Sequence, residues 1–317
     1  MKRVCLLIII SIAVFFSAAC SQKKDAAAQN SENKISVTTT IFPPYDFVRA
    51  IAKDRVNLVM LLPPGAESHS FEPTPKDIIT VQNSEVFVYI GGESEVWVDK
   101  ILDSILDTGG RKVLALMDTV ELVTEEIVEG MEEEEEEEEA EAEYDEHIWT
   151  APANVRLIVR EITETLCGAD AANASFYRQN ADEYIAKLDE LDAAFQAVAD
   201  GAKRKTIVFG DRFPFRYFAD AYGLSYFAAF PGCSTETEPS AATVAFLINK
   251  IKSENIPVVF HIELSNERMA DTISEATGAK KLLLHACHNI SKADFENGAN
   301  YLDLMRANVE SLKAALQ

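Results

Sequence analysis

Residues 172–199, ANASFYRQNADEYIAKLDELDAAFQAVA, form the longest periodic stretch of the 317-residue chain. Apolar side chains recur there at steps of three and four residues, which predicts an amphipathic helix roughly 40 Å long. A simple surface helix would also fit this pattern, but the length and central position favour a rigid connector between two domains. The apolar positions are Phe176, Tyr177, Tyr184, Ile185, Leu188, Leu191 and Phe195.

Short apolar strands alternate with amphipathic helices on both sides of this helix, which is typical of parallel sheets covered on both faces. We therefore predict an α/β fold with two parallel-sheet lobes joined by one long rigid helix. The N-terminal α/β lobe spans residues 34–170, the linking helix 171–200 and the C-terminal α/β lobe 201–317. The predicted strands are 35–40, 56–62, 86–90, 113–116, 205–209, 224–229, 257–260 and 281–284.

The amino terminus predicts export. Lys2 and Arg3 precede an apolar run over residues 4–16 that is too short to span a bilayer, as in a signal peptide. The small residues before Cys20 resemble a bacterial lipobox, although Ser17 stands where a leucine is more usual. We predict a lipoprotein signal peptide over 1–20, lipidation of Cys20, and a flexible stalk over 21–33. The predicted location is extracytoplasmic, with a lipid anchor in the cell membrane; ordinary cleavage nearby is the alternative.

The net charge of −23 is concentrated in one segment. Sixteen acidic residues and no basic residue lie between Glu121 and Glu146, including the uninterrupted run Glu132–Glu139, which leaves about −7 for the rest. A run that repels itself is expected to form a solvated loop, here at about residues 121–146. The charge argues against nucleic acid and favours cations as partners.

Several potential metal ligands follow predicted strands, and in parallel sheets sites gather at the carboxyl ends of strands. His69 follows the second strand, Asp211 the fifth, and Glu263 the seventh. The run His285-Ala286-Cys287-His288 offers two imidazoles and a thiol within four residues, which are zinc-type donors. His147 stands where the acidic loop ends. Each of these histidines, taken alone, is as readily a structural or surface residue.

Export places the chain where disulfides persist. After the signal peptide and Cys20 are set aside, Cys167, Cys233 and Cys287 remain. Cys167 ends a predicted helix and is expected to be a buried free thiol. Cys233 and Cys287 lie in two loops of the second half, and we predict a disulfide between them.

An enzyme has little support in the sequence, since it contains no nucleophile elbow, phosphate-binding loop or HExxH motif. A zinc hydrolase would need an open metal position and a general base, for which Glu72 or Glu263 is available. A structural role in surface adhesion is a further alternative, and it predicts no dependence on metal.

Three segments resemble one family, the ZnuA/TroA-like metal-binding lipoproteins of bacterial ABC importers. Residues 65–75 resemble its G-x-x-x-H-x-[YF]-E-P-[ST]-P signature, residues 145–149 its D-x-H-x-W segment, and residues 301–308 its closing helix. The resemblance runs from about Lys34 to Leu316. It implies a monomeric, non-enzymatic binding protein that captures Zn²⁺ in the cleft between its lobes. It also implies delivery to an ABC permease in the cytoplasmic membrane, with the lipid as the protein's only membrane contact.

The resemblance also implies a ligand set. The first two family ligands fall on His69 and His147, and the fourth on His285. The third, a histidine or glutamate, falls on Arg212, whose guanidinium cannot bind a metal. We expect Asp211, its neighbour, to replace that ligand.

The remaining candidates are expected to support this set. Arg212 is predicted to pair with Asp211 or Glu263 and to orient a ligand, and His288 to be an outer or alternative ligand. A set rich in imidazole favours zinc over manganese, which prefers oxygen ligands. Capture of manganese or ferrous ions by the same fold is the alternative.

Overall fold

Four parallel strands form the first sheet of the computed structural model, which describes residues 34–67, 71–105, 110–131, 143–234 and 239–317. The sheet order is β2-β1-β3-β4, with Val37 of the central strand opposite Leu58 on one side and Val86 on the other. The elements are β1 Ser36–Thr39, α1 Phe42–Ala52, β2 Asn57–Met60, α2 Pro75–Gln82, β3 Val86–Tyr89, α3 Trp97–Ser104, β4 Lys112–Ala115 and α4 Pro152–Ala169. The predictions for Cys20, His69 and the Glu132–Glu139 run lie outside the described residues.

The predicted central helix is α5, Ala174–Asp200, which has 27 residues. It packs against α1 and α4, and also against the last helix, α10, Tyr301–Leu316. Along its buried face, the ring of Tyr184 contacts Phe47 of α1 and the ring of Phe195 contacts Phe218 from the second half. One helix therefore contributes to the core beside both sets of strands. The ends of α5 lie close to the predicted lobe boundaries at 170 and 200, and the division of the chain into two lobes at these residues stays a prediction.

The second half also contains parallel strands. β5 pairs with β7 and β9 with β10, and a parallel bridge between Phe209 and Phe260 joins the two pairs. Gly210 follows this bridge, and a Cβ there would lie 2.7 Å from Ala270 Cα, so the close approach requires glycine. The elements are β5 Thr206–Val208, β6 Arg212–Phe213, α6 Arg216–Tyr222, β7 Ser225–Phe227, β8 Phe230–Pro231, α7 Ala241–Glu254, β9 Val258–His261, α8 Arg268–Thr277, β10 Lys280–Leu283 and α9 Lys292–Glu296.

Three of these elements were not predicted from the sequence, and one of them positions a site residue. β6 and β8 have two residues each and pair in parallel, with Arg212 opposite Phe230. The pairing fixes the backbone of Arg212 four residues after the end of β5. The third unpredicted element is the short helix α9.

The loop that carries the first family motif is anchored at its far end by α2. Thr74 caps the helix: its hydroxyl accepts from the Asp77 N–H, and Asp77 accepts from the Thr74 N–H, so two terminal donors are satisfied. Pro75 occupies the first helical turn, where its missing N–H costs nothing. No helix among the described residues has the length and apolar content to cross a bilayer.

Candidate metal centre

Loops from both halves of the chain line a small cavity of about 30 Å³, roughly the space of one water molecule or ion. We call it the metal cavity. The polar residues that line the metal cavity are Glu67, His147, Arg212, Glu263, His288 and Asn289. Glu67 follows β2, His147 precedes α4, Arg212 lies on β6 and Glu263 follows β9. The loop after β10 supplies His288 and Asn289.

His147 is fully buried and held by Asp145. The Asp145 carboxylate accepts from the His147 backbone N–H at 2.7 Å and lies 3.1 Å from Nδ1 of the ring. A carboxylate on Nδ1 fixes the tautomer that presents Nε2 to a metal. Burial acts to lower the pKa of His147, but the neighbouring charges of Asp145, Glu146 and Glu125 outweigh it, and the pKa is raised.

The His288 ring lies beside the His147 ring, with centroids 5.0 Å apart and planes nearly perpendicular. Zinc–nitrogen bonds of about 2.1 Å in a tetrahedral site put the centroids of two ligating imidazoles about 5 Å apart. The Trp149 ring packs on both, at 5.3 Å from His147 and 5.0 Å from His288. The separation of the two imidazoles is therefore compatible with a pair that binds one zinc ion.

Hydrogen bonds from outside the loop hold His288 in this place. Glu263 accepts from the Ala286 N–H at 2.6 Å and from the His288 N–H at 2.9 Å. The Trp149 indole N–H donates to the Ala286 carbonyl at 2.7 Å. The loop after β10 is thus fastened both to the loop after β9 and to the segment that carries His147.

The predicted ligand His285 lies elsewhere. Its backbone N–H and C=O both bond to the Asn308 side chain on α10, each at 2.8 Å. Its Nδ1 accepts from the Cys287 N–H at 2.9 Å and lies 3.4 Å from Glu263. His285 does not contribute to the described lining of the metal cavity. The geometry favours His288 over His285 as the metal-binding residue of this loop.

Asp211, the predicted substitute ligand, also lies outside the metal cavity. One carboxylate oxygen accepts from the Arg212 N–H at 2.9 Å and the other from the Ile262 N–H at 3.2 Å. Burial raises its pKa, and these hydrogen bonds oppose the shift. It faces a neighbouring cavity of about 200 Å³ and ties the end of β5 to the end of β9.

Arg212 does line the metal cavity, and its partner differs from the predicted one. The sequence predicts Asp211 or Glu263, whereas the guanidinium pairs with Glu67, with Nη2 3.4 Å from Oε2. Nη1 donates to the Ser234 carbonyl at 3.3 Å. The Arg212 side chain is 13% exposed and that of Glu67 is 45% exposed.

Buried carboxylates make the surroundings of His147 favourable for a cation. Glu146 is held by the backbone and hydroxyl of Ser94, and burial raises its pKa. Burial also raises the pKa of Glu125, and that of Glu95 to about 7. A divalent cation nearby would favour the ionised form of each.

A family model described as the periplasmic component A of the zinc-uptake complex, ZnuA, matches residues 37–315. The chain belongs to the ZnuA family.

Two members of the ZnuA family illustrate the similarity. The chain is 33% identical over 316 residues to the high-affinity zinc uptake system protein ZnuA of Bacillus subtilis, covering 98% of this chain and 97% of that protein. It is 32% identical over 313 residues to the zinc-binding lipoprotein AdcA of Streptococcus pneumoniae, covering 99% of this chain and 61% of AdcA.

Solved structures agree with the family assignment. The Zn(II)-bound ZnuA-like domain of Streptococcus pneumoniae AdcA superimposes with a TM-score of 0.74 at 30% identity, covering 90% of this chain and 99% of that one. The metal-dependent lipoprotein YcdH of Bacillus subtilis gives 0.76 at 32% identity, covering 90% and 100%. These findings confirm the predicted α/β fold and a component of a zinc-uptake system rather than an enzyme.

The predicted disulfide between Cys233 and Cys287 is not formed. Both residues, and Cys167, are free thiols in the structure. Cys287 is fully buried, where burial and then Glu263 and Asp46 raise its pKa. Burial, followed by Glu146, Glu125 and Asp145, raises the pKa of Cys233. The two thiols thus lie among different carboxylates. Although Cys233 and Cys287 are both in loops of the second half of the chain, the fold does not bring them together.

Glu67 lies within the family motif, two residues before His69, but the motif does not mark its position as a ligand. In the part of the chain that the structure describes, no three His, Cys, Asp or Glu side chains are grouped closely enough to hold a metal ion, so any ligand besides His147 and His288 must come from His69 or from a side chain that moves. His69 is not among those residues, and its role as a ligand stays a prediction.

Proposed function

We propose that the protein captures Zn²⁺ in the metal cavity outside the cytoplasmic membrane and hands it to the permease of an ABC importer. The observation that carries the proposal is the pair of the fully buried His147 and the partly buried His288, whose ring centroids lie at a separation compatible with one shared zinc ion. Asp145 orients the first imidazole, and the hydrogen bonds of Glu263 place the second.

The ligand set that we propose differs from the one in the sequence analysis. His147 and His288 bind the ion together with His69, which the family motif assigns. His285 and Asp211 take structural roles instead, since their hydrogen bonds hold α10 and the end of β9. A site of three imidazoles suits zinc better than manganese or ferrous ion.

The size of the metal cavity supports an ion as cargo. About 30 Å³ admits a single ion or water but no sugar, peptide or nucleotide. The proposed function breaks no covalent bond. Capture and release of the ion depend only on the free-energy difference between the loaded and empty states.

Anchoring and assembly complete the proposal. Lipid attached to Cys20 would tether a monomer to the cell membrane, with residues 21–33 as a flexible stalk. The name zinc-binding lipoprotein, carried by the relative AdcA, is consistent with such an anchor. Tethering would raise the concentration of loaded protein near the permease.

The first experiment removes one imidazole and keeps a matched control. His147→Ala removes a proposed ligand itself. It should therefore weaken Zn²⁺ binding by more than about 100-fold, the upper range for removing a residue that only hydrogen-bonds to a ligand. His261→Ala changes a histidine at the end of β9 that does not line the metal cavity and should bind zinc normally. Competition with a chromophoric chelator measures both affinities, and equal affinities would refute the site.

The same titration distinguishes zinc from manganese. Zinc binds more tightly than manganese to most nitrogen and oxygen sites, so a preference alone decides little. The proposal requires that His147→Ala reduce zinc affinity by a larger factor than manganese affinity. Equal factors for the two ions would favour the manganese alternative.

A further inference from the structure

Arg212 places a positive charge in the lining of a cavity that we propose binds a metal cation. Its ion pair with Glu67 explains how the two positive charges can be accommodated. We propose that Glu67 supplies the carboxylate ligand of the bound zinc and that Arg212 holds this carboxylate in place. The inference rests on the proposed function, in which His147 and His288 bind the same ion.

The first step is the position of Arg212. β6 and β8 pair through Arg212 and Phe230, and the Ser234 carbonyl accepts from Nη1 at 3.3 Å. The side chain is mostly buried, at 13% exposure, and lines the metal cavity. The guanidinium is therefore held at the edge of the cavity from two sides.

The second step is charge. A guanidinium stays protonated and has no lone pair for a metal, and two cations in one cavity repel each other. A carboxylate between them reverses this effect, since it attracts both. We assign this place to Glu67, because it lines the metal cavity and its Oε2 is 3.4 Å from Arg212 Nη2.

The third step is a comparison of the nearby carboxylates. Both oxygens of Glu263 accept backbone N–H groups, from Ala286 and His288, and Asp211 is occupied in the same way by Arg212 and Ile262. Either would have to abandon hydrogen bonds that hold a loop. The Glu67 side chain is 45% exposed, and a carboxylate near the surface can move toward an ion more easily than one that holds two backbone groups.

Together these steps give Arg212 the role of a positioning residue. Metal-bound carboxylates are commonly held by a hydrogen bond to a second group, which fixes their direction. The resemblance to importer lipoproteins places a ligand at position 212, whereas this chain has a residue that orients one. The donor that the resemblance places at position 212 is thus replaced by Glu67, in the loop after β2.

The test is a double-mutant cycle on the purified, metal-free full chain. Zn²⁺ affinity is measured by competition with a chromophoric chelator, and coordination by the visible spectrum of the Co²⁺-loaded protein. Glu67→Gln should weaken zinc binding by about tenfold or more and change the Co²⁺ spectrum, and Arg212→Gln should weaken it by about tenfold. In the double variant, Arg212→Gln should add almost nothing to Glu67→Gln, because its effect passes through that carboxylate.

Two further variants control for charge and for shape. Glu72→Gln removes a carboxylate from the same loop outside the lining of the metal cavity and should leave affinity and spectrum unchanged. Arg212→Lys keeps one charged donor and should retain more affinity than Arg212→Gln. The metal-free variants are compared by thermal unfolding, so that a loss of fold is recognised.

The inference is overturned by any of three results. Glu67→Gln binds zinc normally with an unchanged Co²⁺ spectrum, Arg212→Gln binds zinc more tightly, or the two losses simply add. Failure of the proposed function has a different signature, in which His147→Ala binds as tightly as the wild-type protein.

Discussion

His285 and His288 stand three residues apart in one loop, yet the structure places them in different surroundings. His288 turns its ring to His147 at 5.0 Å, in the metal cavity. His285 turns to α10, where Asn308 bonds to its backbone and its Nδ1 accepts from Cys287. Residue type and strand-end position are the same for both, so neither feature decides which one binds metal.

What decides is the set of groups that bond to the loop from outside. Glu263 accepts two backbone N–H groups from it, and Trp149 donates to the carbonyl between the two histidines. Cys287, in the left-handed region at φ 60°, turns the chain between them. For a cysteine such a backbone is strained, and the surrounding hydrogen bonds must compensate the cost.

The sharpest way to break this comparison is to remove each ring in turn. His288→Ala should reduce zinc affinity by more than about 100-fold, since it deletes a ligand and not an outer partner. His285→Ala should bind zinc normally but lose about 1–3 kcal/mol of stability, because the buried Cys287 N–H loses its acceptor. Chelator competition gives the affinities, and denaturant unfolding of the metal-free proteins gives the stabilities.

Zinc-induced stabilisation provides an independent check on the same pair. Saturating zinc should raise the Tm of His285→Ala as much as that of the wild-type protein, because a ligand that binds the native state stabilises it. The same addition should barely move the Tm of His288→Ala. The reverse pattern would restore His285 as the ligand and make our assignment wrong.

A smaller effect is expected at the residue that separates the two roles. Glu263→Gln replaces one acceptor oxygen by an amide that cannot accept from a backbone N–H, so the loop loses one of its two bonds. We expect zinc affinity to fall by about tenfold, as for other partners behind a ligand. Glu267→Gln, in the same loop but 43% exposed, weakens surface pairs with Lys281 and His261 and should leave affinity unchanged.

The sequence predicts the large elements because their signals are local. The apolar face of α5 and the β-branched runs of β1 and β9 each extend over several residues, and all were predicted with the right type. The two-residue strands β6 and β8 have no such pattern. They exist only because Arg212 and Phe230 are brought together by the rest of the fold.

Side-chain direction at the site is not local in the same sense. Asp211 and His285 both follow strands, as ligands often do, but hydrogen bonds engage them away from the metal cavity: the Asp211 carboxylate accepts from the Ile262 N–H, and the His285 backbone bonds to Asn308. Glu67 was missed because its significance depends on Arg212, which is 145 positions away. Sequence position therefore predicts which loops meet at the site, whereas contacts between distant segments select the residues within them.

The smallest effect on zinc affinity is expected from replacing the acidic run that precedes the buried His147. The stem of that loop is ordered: Thr124 bridges to Tyr144, and the Glu125 N–H donates to the Glu143 carbonyl at 2.9 Å. Replacing residues 132–142 by a short Gly-Ser linker should keep this stem and hence the high-affinity site. We expect slower capture or a lower total zinc stoichiometry, because a dense run of carboxylates attracts divalent cations electrostatically.

Salt dependence separates this accessory role from ligation. An electrostatic effect of the run should weaken as added salt shortens the Debye length, so wild-type and deleted proteins should converge at high ionic strength. A variant with Glu132–Glu139 changed to glutamine keeps the loop length and should behave like the deletion. Loss of the high-affinity site in either variant would show that the loop supplies a ligand itself. It would also undermine the fourth-ligand role of Glu67, since a donor from the loop would take that position.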